Sequence, residues 1–107
     1  MENNEIKTHI LKIWPLYFEA VRAGRKTFEF RVNDRDFEEG DAVVLREYSN
    51  GNPYFSNGET RRGYTGREIS GYRIGFILGL GDPPGKCIFS LIDVGAIVHT
   101  NWPEWED

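Results

Sequence analysis

Thr27, Glu29, Arg31 and Asn33 occupy alternate positions of one short stretch, with Lys26 at its head. A hydroxyl, a carboxylate, a guanidinium and an amide in one row are an unusual amount of chemistry for one strand. Phe28, Phe30 and Val32 fill the intervening positions, which is the two-residue period of a half-buried strand. On this pattern the apolar row anchors to a core and the polar row is the functional face. Lys26, Glu29 and Arg31 therefore form the centre of a candidate site. Trp14 and Tyr64 supply aromatic rings, and Arg35 and Arg67 further cations, that could stand around it. The plain alternatives are an ion pair of Glu29 with Lys26 or Arg31 that satisfies a partly buried strand face, and Trp14 as a core plug.

The elements that must position these residues follow from punctuation and periodicity. Residues 7–14 read as a first strand, and Pro15 suits the first turn of a short helix that Gly24 closes. The polar strand covers 26–33. Asn33 to Asp41 is a loop with a tight turn at Gly40-Asp41, and Ala42 to Tyr48 is a strand. Ser49 to Gly63 shows no periodicity and reads as a long surface loop that Tyr64-Thr65-Gly66-Arg67 closes. In Glu68–Leu80 the residues Tyr72, Ile74, Phe76, Leu78 and Leu80 alternate, and glycines 71, 75 and 79 imply the bending of a barrel strand. A turn at 81–85 leads to the last strand, from Lys86 to Ile97 or Val98, and then to a polar, Trp-bearing tail. The expectation is a mainly β (α+β) single domain over residues 1–107. Residues 6–98 form a small pseudo-barrel of five to six strands with one or two short helices, and 99–107 form an acidic tail.

Composition narrows the function classes. A chain of 107 residues with seven Phe, five Tyr and three Trp builds one ring-rich core. The single cysteine, Cys87, excludes an internal disulfide and reads as an inert core residue. His9 and His99 offer no metal-ligand spacing and suit structural hydrogen bonds, so neither a metal nor a cofactor is expected. No apolar run is long enough to span a membrane, the first residues lack signal-peptide character, and a cytoplasmic protein is expected. The net charge of −4 opposes a broad phosphate-binding surface. Five of the seventeen acids lie in residues 1–5 and 104–107, however, leaving a nearly neutral body with basic clusters at 22–35 and 61–73.

Gly24, Lys26, Glu29 and Arg31 match every position of the Gly-x-Lys-x-x-Glu-x-Arg signature of ASCH domains, a branch of the PUA-like superfamily. His9 to Pro15, Phe28 to Arg31, Asn33-Asp34-Arg35, Gly40-Asp41 and Tyr64 to Arg67 resemble a bacterial and phage ASCH-like family of unknown function. The resemblance implies a PUA-like pseudo-barrel that binds RNA or a modified nucleoside or nucleotide in a cleft beside the first helix. For such a ligand Trp14 and Tyr64 could stack on a base, Glu29 could accept from an exocyclic amine, and Lys26, Arg31, Arg35 and Arg67 could hold phosphate or carbonyl oxygens. Some small ASCH proteins are amidohydrolases on N4-acetylcytidine that use a lysine, a threonine three positions on and a later glutamate. Lys26 matches that lysine, but Glu29 stands in the threonine position. Thr27 lies two residues earlier, about 6.6 Å along a strand. Hydrolysis of an N4-acylated cytidine-type nucleoside through Lys26, Thr27 and Glu29 is thus the second expectation, and binding without catalysis the first. A third is an accessory role in which the tail at 102–107 docks on a partner.

Overall fold

The computed structural model describes residues 5–51, 62–82 and 85–100. The elements are β1 (Thr8–Ile13), α1 (Pro15–Arg22), β2 (Phe28–Val32), β3 (Ala42–Asn50), β4 (Arg62–Leu80) and β5 (Lys86–His99). The strands make one sheet in the order β1-β3-β4-β5-β2, curled into a half-barrel with α1 as its helix. Only β1 and β3 run parallel, with Thr8 opposite Ala42 and Ile13 opposite Glu47; the other neighbours are antiparallel. The tail from residue 101, the central part of the expected long loop (52–61) and Pro83-Pro84 of the turn lie outside the described residues.

Alternation decides what enters the core. In β1 the odd residues His9, Leu11 and Ile13 are buried, and in β3 the odd residues Val43, Leu45, Glu47 and Ser49 are. They meet Phe18 and Val21 of α1, Phe37, Ile69 and Ile74, and Cys87, Phe89 and Leu91 of β5. Pro15 starts α1 as the sequence predicts, and Gly24 ends its last turn at φ 78° with its N–H on Val21 O. Fixed φ at one end and a left-handed residue at the other bound a helix of two turns.

Three expectations are corrected. The first concerns β2: its alternation holds but its sidedness is inverted. Glu29 is buried at 3% exposure, while Phe28, Phe30 and Val32 stand 44%, 54% and 47% exposed. A period of two specifies two faces without saying which is inside, and here the rings of α1, β5 and Phe37 fill the interior without β2. The second concerns β4, which begins at Arg62, so that Tyr64-Thr65-Gly66-Arg67 are strand residues and the flanking loop is shorter at both ends. Gly63 and Gly66, at φ 133° and 97°, accompany irregular pairing between Arg46/Glu68 and Tyr48/Tyr64 rather than a loop. The third concerns the alternation of 72–80, which breaks at a bulge between Ile74 and Ile77. Ile74 points inward, whereas Phe76, Leu78 and Leu80 point out, and the Phe76 N–H donates to Ser90 Oγ at 2.9 Å.

The two sheet edges are β1 and β2, and arginines tie them together. Arg31 Nη2 donates to Lys12 O at 2.7 Å, and Arg35 Nη1 donates to Ile10 O at 3.0 Å. Two guanidiniums thus satisfy carbonyls of an edge strand that no neighbouring backbone reaches from that side, which is one way to blunt an open edge.

Candidate functional site

Lys26, Glu29 and Arg31 do come together, as the spacing predicts, around a buried carboxylate. Lys26 Nζ lies 2.6 Å from Glu29 Oε2 and also donates to Phe28 O at 2.6 Å. Arg31 holds Glu29 Oε1 through Nε at 2.9 Å and Nη2 at 2.8 Å. The two cations are partly open to solvent while the carboxylate between them is not. Two charges of one sign close around one of the other, so the trio carries a net positive charge with its donors fixed in place. Tyr17 and Phe28 rings lie 5.7 Å and 5.0 Å from Lys26 Nζ. Thr27 is exposed, and its carbonyl takes the Leu91 N–H at 2.9 Å.

A second charged group, missed in the sequence apart from Arg67, sits at the same end of the sheet. Arg67 binds buried Glu47 through Nε at 3.0 Å and Nη2 at 2.9 Å, and reaches Glu19 of α1 at 2.6 Å. Thr65 donates its hydroxyl to Glu47 Oε1. The guanidinium lies 4.5 Å over the Phe18 ring. The Glu47 carboxylate, opposed by burial and joined by Glu19, pushes the Arg67 guanidinium above its already high ordinary value. The hydrogen bonds of Arg22 and Arg67 hold Glu19 below the usual carboxylate range. Thr65 and Arg67, two residues apart in β4, share the strand face that meets Glu47. Register ties the two groups: Glu47 is opposite Ile13, one residue beyond the Lys12 carbonyl that Arg31 holds. Glu47 was legible in principle, as a carboxylate on the inward row with Val43 and Leu45.

Trp14 and Tyr64 meet at neither charged group but on the outer face, through Tyr48. Trp14, 44% exposed at the N-cap of α1, is therefore no core plug. Its ring centroid lies 6.4 Å from that of Tyr48, which meets Tyr64 edge-on at 5.1 Å. Lys12 Nζ stands 4.3 Å above the Tyr48 ring and 5.9 Å from that of Tyr64. Lys12 and Tyr48 escaped the sequence reading because a lysine in a strand and a tyrosine at its end carry no signal alone. Arg35 belongs to the seam between the sheet edges. His9 has a structural bond, 2.7 Å to Asp41 Oδ2, and His99 meets Ser70 Oγ at 3.0 Å.

No helix among the described residues is long and apolar enough to cross a membrane. A protein of Escherichia phage P2 described as "Uncharacterized 12.9 kDa protein in GpA 3'region" is 42% identical over 45 residues, 42% of this chain and 41% of that protein. The chain thus spans about two fifths of the length of that curated relative. Residues 8–90, which include both charged groups and the Trp14–Tyr48–Tyr64 cluster, match the family described as a domain of unknown function (DUF3850), and the chain belongs to that family.

Proposed function

We propose that this domain binds single-stranded RNA or a nucleotide at the α1 end of its half-barrel, as the resemblance of its Gly24-to-Arg31 segment to the ASCH signature of PUA-like domains implies. The observation that carries the reading is the ring cluster of exposed Trp14 with half-buried Tyr48 and Tyr64, and exposed Lys12 with its Nζ above the Tyr48 ring. Aromatic faces beside cations are the parts from which sequence-tolerant single-strand sites are built, each stacked base contributing ~1–3 kcal/mol. Lys26 and Arg31 support it from the neighbouring edge, held rigid by Glu29 yet reachable by solvent. Deacylation of an N4-acylated nucleoside draws less support. Lys26 Nζ is engaged by Glu29 and the Phe28 carbonyl, and Glu29 stands in the hydrolase threonine position.

Fluorescence anisotropy with a labelled single-stranded RNA oligomer at low salt tests the reading. Trp14→Ala and Tyr64→Ala should each weaken binding by roughly tenfold, as expected for loss of one stacking surface. Both should unfold thermally within a few degrees of the parent. An oligomer that fails to bind the parent, or that binds both variants with parental affinity, would refute the proposal.

A further inference from the structure

The outer face of β2, β5 and the end of β4 is an apolar sheet surface that the proposed RNA site does not use. Register places it as a grid. Phe28, Phe30 and Val32 lie opposite Ser90, Ile88 and Lys86 of β5, and Ile88 and Lys86 lie opposite Leu78 and Leu80 of β4. The bulge before Ile77 brings Phe76, 68% exposed, to the remaining corner beside Ser90. The three phenylalanines alone leave on the order of 300 Å² in water, taking ~150–250 Å² for an aromatic side chain. With the aliphatic residues the patch reaches roughly 500–600 Å², the upper end for a monomer's largest apolar patch and a common mark of an interaction site.

We infer that this face joins two copies of the chain, stacked sheet against sheet about a two-fold axis. Two such patches bury roughly 1,000–1,200 Å² together, enough for a specific dimer though at the weak end of the range. Charge selects the occupant. Lys86 at one margin and Lys26, 5.0 Å from the Phe28 ring at the other, are the charged side chains beside the grid, so self-stacking need bury no carboxylate and can leave the lysines in water. A nucleic acid would meet cations at the margins of this face alone, and an anionic bilayer would meet a chain of net charge −4.

Sedimentation velocity of the full chain over roughly 1–300 µM brackets the micromolar dissociation constant expected of such an area. The parent should shift from monomer to dimer across this range. Phe76→Lys and, separately, Phe30→Glu should remain monomeric throughout with parental circular dichroism, while Ile97→Asp, exposed but off the grid, should dimerise as the parent does. A monomeric parent at the highest concentration, parental dimerisation in both patch variants, or equal loss in Ile97→Asp would overturn the inference. Monomeric parent that co-sediments with phosphatidylglycerol vesicles, and loses them in Phe76→Lys, would overturn it in favour of a membrane.

Discussion

Replacing Glu29 with alanine removes the one carboxylate between Lys26 and Arg31, and the consequence can be sized from the geometry. Three contacts of 2.9 Å or less end on a side chain that is 3% exposed. Breaking a buried pair from one side costs ~3–5 kcal/mol, because the surviving charge is left without a partner. Here two cations remain, but both are partly reached by water, which places the loss nearer 3 kcal/mol. At ~4–8 °C per kcal/mol for a domain of this size, Tm should fall by roughly 12–24 °C. Urea unfolding followed by circular dichroism at neutral pH measures the same loss as a lower midpoint at constant slope. Glu29→Gln keeps the shape and one acceptor and should fall between parent and alanine. An alanine variant melting within a few degrees of the parent would refute the reasoning. Glu29 would then be a solvated group on an outward face, as the simple reading of Phe28–Val32 has it.

The Arg31→Lys, Arg35→Ala double variant keeps the charge on Glu29 but loses the donors to Lys12 O and Ile10 O, so β1 amides should exchange at least about tenfold faster than those of β4 change. Glu19 has a folded pKa below its unfolded one, so its stabilising contribution is full above the ordinary glutamate value of 4.5 and is lost as pH falls through the lower folded value. In Glu19→Gln, chemical denaturation at a series of acidic pH values should show a shallower decline than the parent. Gly71→Ala should cost at least about 2 kcal/mol, since φ is 95° and the new Cβ would lie 2.4 Å from the Gly95 carbonyl oxygen, a close backbone approach with no slack. Burial raises the Cys87 thiol pKa, so iodoacetamide at pH 8 should label the folded chain far more slowly than the urea-unfolded one.

Much of the fold was legible because its signals are local. Pro15 and Gly24 bracket α1, and β-branched and aromatic runs mark β1, β3 and β5 within a few residues. What escaped is non-local or two-fold ambiguous. Alternation in Phe28–Val32 survives exchange of the faces, and only the tertiary surroundings put Glu29 inside. Gly63 and Gly66 carry the same letters in a bulge as in a loop, which hid the first third of β4. For the site, the spacing of Lys26, Glu29 and Arg31 foretold their meeting, because each lies within five residues of the others. Arg67 was visible as a basic residue, but its partners Glu47 and Glu19 lie 20 and 48 positions away, and pairings at that distance leave no mark on a single sequence.

Strand order sets a schedule for synthesis. β3, β4 and β5 follow one another as an antiparallel meander, whereas β1 must wait for β3 and β2 must wait for β5. β1 can pair once β3 is made, but β2, made before β3, is the last to be paired, since Phe28 finds Ser90 only when nearly the whole domain has been synthesised. Until then Phe28, Phe30 and Val32 wait without a strand partner, so the sheet cannot close in the order in which its strands are made.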